Sequence, residues 1–305
     1  MFRPSAELAA APLVVCDAAV APLLDAARGL SLSGWDFPNW PDLSLVGMPQ
    51  SEGLAALIKN IAEPLNTDGF CVVRLAGLTD GQPEGVAAGA VTLLATAFGS
   101  PFRIYQNNPG HWRRLGADPQ RPPNRSEGVG LQLPHTDFCN AELPPDTVCL
   151  LCLRPDPLGG GASLVARIAD IEGDLQAAEI DTLSRPVYRD GQVVNLSGVG
   201  NDANPFEIIS RRPNARFRYR FVGHLLESAP EGEARTAVRA LVEALGKRTR
   251  TIPLAAGDLL LVNQHLAVHG RAALGSAQDD LPVAARRLFL LSFLRDAPAG
   301  RGRLT

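Results

Sequence analysis

The segment Pro134-His135-Thr136-Asp137 sets an imidazole and a carboxylate two positions apart. On a strand, residues i and i+2 project to the same face, so this pair can grip one ion. Alone it is a weak signal, because a surface strand whose His hydrogen-bonds to Asp is the commoner meaning. A second block shifts the balance. Gly257-Asp258-Leu259-Leu260-Leu261-Val262-Asn263 is followed by His265 and then by His269-Gly270-Arg271, and a strand of that kind ending in a His can deliver a third ligand. Two imidazoles and one carboxylate on one side of a metal leave three positions open, the arrangement of mononuclear non-haem iron sites. Structural zinc wants four protein ligands and catalytic zinc usually keeps one open place, so His135, Asp137 and His269 favour iron.

A third element follows His269. Arg286-Arg287-Leu288 opens the last strand, and a guanidinium can hold a carboxylate through two parallel hydrogen bonds, as the distal end of 2-oxoglutarate requires. Ser163, just after Gly159-Gly160-Gly161, can offer a hydroxyl to the same carboxylate. An isolated Arg287 would be a surface salt-bridge partner; its order after His269 points to a co-substrate.

Other signals carry less. Cys149-Leu150-Leu151-Cys152 has C-x-x-C spacing, but on a strand its two thiols point to opposite faces and no second pair accompanies it. His265 and His269 lack the Glu of a helical zinc motif, which leaves His265 a structural neighbour. The Gly159–Gly161 run lacks the Lys-Ser/Thr of a phosphate loop and reads as a turn. His111 and His224 stand alone. Arg216, Arg218 and Arg220 alternate with Phe217, Tyr219 and Phe221, with Arg211 and Arg212 nearby. A solvated basic face over a packed aromatic one is the plainer reading; the sharper one has one of these arginines binding a substrate carboxylate or phosphate.

The elements that must position these groups are visible in periodicity. Leu54, Leu57, Ile58, Ile61 and Leu65 recur at helical spacing before Asp68-Gly69, and Phe70 to Leu75 reads as a strand. A second helix is expected over Glu84 to Phe98. Residues 105–129 read as a long loop and a candidate lid. Short β-like runs follow at 131–138, 147–153, 163–168, 192–196, 215–222, 250–254, 258–263 and 287–293, with helices near 168–180 and 231–245. So many short strands imply a sandwich or closed barrel. The expected division is an N-terminal extension over 1–50 and one catalytic domain over 51–305.

Composition sets outer limits. The chain has 305 residues, 46% of them apolar, and a formal net charge of −3, which supports a sizeable core and gives no global attraction to nucleic acid or anionic membrane. Cys16, Cys71, Cys139, Cys149 and Cys152 are odd in number and irregularly spaced, which suits a reducing, cytoplasmic setting rather than a disulfide framework. Asp17 and Asp25 interrupt the apolar N-terminal run, so a secretory signal is not expected. No membrane span is expected either.

Taken together, His135-Thr136-Asp137, Gly159-Gly160-Gly161-Ala162-Ser163, Gly257-Asp258 through His269-Gly270-Arg271, and Arg287 resemble the taurine dioxygenase (TauD/TfdA) and clavaminate synthase-like branch of the Fe(II)/2-oxoglutarate oxygenases, over about Ser51 to Phe293. The resemblance implies a mainly β fold with flanking helices around a double-stranded β-helix (jelly-roll, cupin-like) core. It implies Fe(II) on His135, Asp137 and His269, 2-oxoglutarate on Arg287 with Ser163 in place of the family's usual Thr, and O2 as oxidant. The expected reaction is hydroxylation or desaturation of a small polar molecule, such as an amino acid or natural-product intermediate; relatives often form homo-oligomers. Leu131 and Leu291 stand where sulfonate-oxidising relatives carry Asn and Arg, so taurine is not the expected substrate. Asp137 stands where halogenases have a small residue, so halogenation is disfavoured. Two alternatives remain: a metal-binding β-helix protein with non-oxidative chemistry, and a non-catalytic binding module.

Overall fold

The computed structural model describes residues 2, 13–15, 19–29, 49–101, 111–141, 144–190, 204–211 and 219–295. A first group of elements supplies the outer strands of the large sheet and the helices behind it. These are β1 (Leu13–Val15), α1 (Val20–Gly29), α2 (Glu52–Thr67), β2 (Phe70–Arg74), α3 (Glu84–Ala95), β3 (Ser100–Pro101) and β4 (Arg113–Gly116). Next come β5 (Gln132–His135), β6 (Thr147–Arg154), β7 (Ser163–Arg167), α4 (Ile168–Gly173) and α5 (Ala177–Leu183). The chain closes with α6 (Leu225–Ser228), α7 (Glu233–Arg248), β8 (Arg250–Ile252), β9 (Asp258–Asn263), β10 (Ala267–Arg271) and β11 (Leu288–Arg295).

The strands form a seven-stranded sheet, β1-β2-β9-β6-β11-β3 with β4 also on β11, and a four-stranded sheet, β5-β10-β7-β8. Residue alternation shows how they stack. In β9, Leu259 and Leu261 join one apolar cluster while Leu260 and Val262 join another; β2 and β6 split the same way. The first cluster packs the large sheet against α1, α2 and α3. The second lies between the sheets, where Phe70, Val148, Leu260 and Phe293 meet Val165, Ile252 and Ala267. A third cluster backs the small sheet: Ala166 and Val268 pack on Leu183, Val238 and Leu241 from the α5 and α7 helices. The order is therefore helices, large sheet, small sheet, helices, and strands buried on both faces read as continuous apolar runs.

Local chemistry explains the edges of elements. The Ser51 hydroxyl accepts from the Leu54 amide at 3.1 Å and caps α2, satisfying one of the amides a helix start leaves open. The Gly257-Asp258 pair of the sequence signature is structural: Gly257 turns with φ +85°, and Asp258 takes a two-pronged grip from Arg74 with both contacts at 2.8 Å.

Several expectations are corrected. The helix expected over 168–180 is two, α4 and α5, separated by Asp174–Gln176. The supposed loop 105–129 contains strand β4, paired with β11; its residues 105–110 lie outside the described part, as do the expected strand 192–196 and residues 215–218 of the expected strand 215–222. Tyr219 makes only a bridge to Ile209. The strand 258–263 does not itself run to His269. The chain turns at Gln264–Leu266, with the Leu266 amide donating to Asn263 O at 3.0 Å, and His269 falls on β10 in the other sheet.

Candidate metal centre

Because β10 alternates, Val268 faces the outer helices while Ala267 faces the space between the sheets. His269 and Arg271 share Ala267's parity and so point inward. His135 is the direct partner of His269 across the β5–β10 pair, but the next partnership is Arg271 with Gln132. Two steps on β10 thus face three on β5, a β-bulge at Leu133–Pro134. The extra residue turns Leu133 toward the outer cluster and still aims His135 inward, the usual service of a bulge beside a site. It also explains Gly270. A Cβ there would lie 2.5 Å from Gln132 O and 2.8 Å from Pro134 N, so the bulged backbone occupies the volume of a side chain.

Asp137 follows β5 and completes the group. Its Oδ1 lies 3.5 Å from His135 Nε2 and its Oδ2 3.3 Å from His269 Nε2, with the imidazole centroids 4.8 Å apart. Bonds of about 2.0–2.2 Å set at right angles separate donor atoms by about 3 Å, and one ligand atom from each residue lies within 4.8 Å of the others. A first-row metal ion fits this spacing with small adjustments. The Leu133 carbonyl takes the Nδ1 proton of His135 at 2.8 Å, which leaves Nε2 as the nitrogen available to a metal. Burial works against charge on both partners. Even so, Asp137 and the Leu133 carbonyl hold His135 above its ordinary pKa, and the two imidazoles hold Asp137 far below the usual carboxylate range. Asp137 Oδ2 and His269 Nδ1 are buried with no hydrogen-bond partner. A buried, ionised carboxylate oxygen without a hydrogen-bond donor, set beside two imidazole nitrogens, fits a bound cation.

A second concentration of charge lies across the inner space. Arg287, 5% exposed, directs its guanidinium over the Phe289 ring at 3.8 Å, and its Nε is buried without a partner. No described carboxylate comes within ion-pair distance of it. Burial and then Arg271 pull its pKa down to about 9. Arg286 instead donates to Leu281 O at 2.9 Å at the partly exposed edge, so of the two neighbours Arg287 is the inward one. Gly161 matters here because a Cβ on it would come 3.2 Å from Arg287 Cδ. Ser163, buried on β7, is the register partner of Arg271 on β10.

Arg271 was given no role by its sequence position, yet the parity rule that joins His135 to Asp137 also joins it to His269. Its NH2 donates to Gly128 O at 2.6 Å and its Nε is another buried nitrogen without a partner; burial lowers its pKa to about 10. Gly128 belongs to the segment expected as a lid, so this part is tied to the site. Asp156 was also missed. Its carboxylate accepts from the amides of Leu158 (3.1 Å), Gly160 (3.1 Å) and Gly275 (2.7 Å) and from Gln278 Nε2 (2.9 Å), knotting the glycine turn to the loop before β11.

The weaker sequence signals resolve as packing. Cys149 and Cys152 are free thiols on opposite faces of β6. His265 Nε2 meets Asp146 at 2.8 Å. Arg211 pairs with Asp181 at the surface, and Arg212, Arg216 and Arg218 lie outside the described residues. Among the described residues no helix is long and apolar enough to cross a membrane.

Comparison with known proteins follows the same lines. The model of the taurine catabolism dioxygenase TauD, TfdA family matches residues 46–288. The chain belongs to that family. An L-asparagine oxygenase of Streptomyces coelicolor is 27% identical over 223 residues, a stretch covering 70% of this TauD/TfdA chain and 65% of that relative's length. Among solved structures, an asparagine oxygenase in complex with Fe(II), 2S,3S-3-hydroxyasparagine and succinate superposes with a TM-score of 0.74 at 21% identity, covering 93% of both chains. The non-heme iron oxygenase OrfP in complex with Fe and alpha-ketoglutaric acid gives 0.65 at 18% identity, covering 94% of this chain and 95% of that one. The double-stranded β-helix expectation agrees with these neighbours.

Proposed function

We propose that this TauD/TfdA-family protein is an Fe(II)- and 2-oxoglutarate-dependent oxygenase that oxidises a C–H bond of a small, acidic, amino-acid-sized substrate. The observation that carries the reading is the pairing of two incomplete sites in one buried space. One is a three-donor metal site whose Asp137 Oδ2 lacks a donor; the other is a guanidinium, Arg287, with no protein carboxylate among the described residues. A metal that also takes a dicarboxylate satisfies both. In this assignment His135, Asp137 and His269 hold Fe(II), while Arg287 fixes the far carboxylate of 2-oxoglutarate with the Ser163 hydroxyl beside it. Iron so held supplies O2 activation coupled to oxidative decarboxylation of 2-oxoglutarate to succinate and CO2. The protein orients the co-substrate and keeps bulk water away through the apolar layer between the sheets.

The substrate reading rests on Arg220. Its neighbours Tyr219 and Phe221 both enter the outer cluster, and Phe221 O accepts from the Thr136 amide at 2.9 Å, so Arg220 runs alongside the segment that carries Asp137. One amino group donates to Ala141 O at 2.8 Å, Nε has no partner, and no described carboxylate pairs with it. Nearby, Asp190 meets His224 Nε2 at 2.7 Å and Cys139 Sγ at 3.7 Å. A cation beside the metal segment suits a substrate carboxylate or phosphate and disfavours a guanidinium substrate. Succinate formation by the iron-loaded protein, measured over acidic, neutral and basic amino acids, tests both parts. Stimulation by acidic members that Arg220→Gln removes is expected. No succinate with any member, with Fe(II) and 2-oxoglutarate present, would overturn the oxygenase reading; equal stimulation by all three classes would overturn only the acidic substrate.

A further inference from the structure

Asp137 is the one member of the triad that no strand holds. β5 ends at His135, and the residue after Asp137, Phe138, sits at φ +55°, in the left-handed region that L side chains rarely adopt. A loop in that conformation persists only where its surroundings enforce it. Phe138 itself is held by the Ala141 amide and the Phe293 ring, and Asp137 is held by Gln264. Its side-chain Oε1 accepts from the Asp137 amide at 2.5 Å, and its Nε2 donates to Pro145 O at 2.8 Å. Its own amide donates to Asp146 O at 2.9 Å. The residue is 1% exposed, and only one orientation of the amide satisfies both partners. Gln264 is also the first residue of the turn between β9 and β10 that carries the chain into the strand of His269.

We infer that Gln264 is a positioning residue for the metal site, setting the Asp137 carboxylate against the two imidazoles by holding its backbone amide. The inference rests on the assignment of His135, Asp137 and His269 as metal ligands and goes beyond it. One side chain fixes the carboxylate ligand from the turn that also leads to a histidine ligand, so both halves of the site are anchored at Gln264. A glutamine there works where a shorter amide would not reach, and an apolar side chain would leave the buried Asp137 amide without an acceptor. Partners that orient metal ligands in this way are worth about 10–100-fold in metal affinity.

The test is Co(II) titration of the full chain, followed by visible absorption and by equilibrium dialysis, with wild type, Gln264→Leu, Gln264→Asn and His265→Gln. The last breaks the neighbouring contact to Asp146 and leaves Asp137 untouched. Gln264→Leu and Gln264→Asn are expected to bind Co(II) about 10–100-fold more weakly with altered band shape, while His265→Gln loses thermal stability but keeps its Co(II) affinity. Should the Leu variant not fold, Gln264→Asn alone decides, since it keeps the polar chemistry and loses only reach. Wild-type affinity and spectrum in a folded Gln264 variant, or an equal loss in His265→Gln, would overturn the inference. Absence of Co(II) binding by wild type would instead refute the metal-site assignment.

Discussion

Arg287→Met separates function from stability. At neutral pH the buried guanidinium stays charged and has no protein carboxylate among the described residues, so the folded protein carries the penalty of burying it near a second cation, Arg271. The fall from its ordinary 12.5 to about 9 corresponds to about 5 kcal/mol at about 1.4 kcal/mol per pH unit. That is an upper figure, because methionine also forfeits the stacking on Phe289, worth about 1–2 kcal/mol. The ligand-free variant is therefore expected to be more stable than wild type, by at most about 3–4 kcal/mol in chemical denaturation. Binding moves the other way. Removing a buried, two-pronged charge partner costs about 2–5 kcal/mol, so 2-oxoglutarate affinity, read by calorimetry on the metal-loaded protein, should fall about 30-fold or more. A variant that is destabilised while binding 2-oxoglutarate as before would refute the reasoning, since Arg287 would then be a structural cation.

Three further outcomes follow from the same geometry. Gly270→Ala forces a Cβ to within 2.5 Å of Gln132 O and 2.8 Å of Pro134 N; because both are backbone, the bulge must shift, and a stability loss of about 1–3 kcal/mol with weakened Co(II) binding is expected by thermal melting and titration. Asp156→Asn should loosen the glycine turn and raise the 2-oxoglutarate concentration needed for half-saturation. Burial opposes ionisation of Asp156, but its four donors outweigh that and hold its pKa below 3.8, so its contribution is complete above 3.8 and lost as pH falls through the lower folded value. The melting-temperature gap between wild type and Asp156→Asn should accordingly be open at neutral pH and close below 3.8. Arg74→Met leaves the buried Asp258 with the Ala255 amide but without its half-exposed cation, so a loss of about 1–3 kcal/mol in unfolding free energy is expected, with metal affinity unchanged in the folded fraction.

The triad was legible because strand periodicity is short and strict. His135 and Asp137 lie two apart, and an apolar run followed by His269 needs only a sheet to bring the three together. What sequence left out depends on geometry that spacing does not encode. The turn at Gln264–Leu266 moves His269 from one sheet to the other, and nothing in Asn263-Gln264-His265-Leu266 marks a break as glycine or proline would. The bulge at Leu133–Pro134 keeps His135 inward although Leu133, two positions before it, faces outward, so simple alternation fails at that point. Arg271 could have been found by applying to His269 the same i, i+2 rule used for His135. Gln264 acts through the Asp137 amide, and Asp156 reaches beyond its own turn to the Gly275 amide; both contacts span more than a hundred residues, and such contacts have no local signature. The alternating arginines were legible as a pattern, but only Arg220 lies among the described residues.

The most direct measurement is anaerobic titration of the protein with Fe(II) and then 2-oxoglutarate, watching the weak visible charge-transfer band of the chelated complex in wild type and in His269→Ala. The assignment predicts a saturable band in wild type, dependent on both components, and none in His269→Ala. No band in iron-loaded wild type, or an undiminished band in His269→Ala, would contradict it.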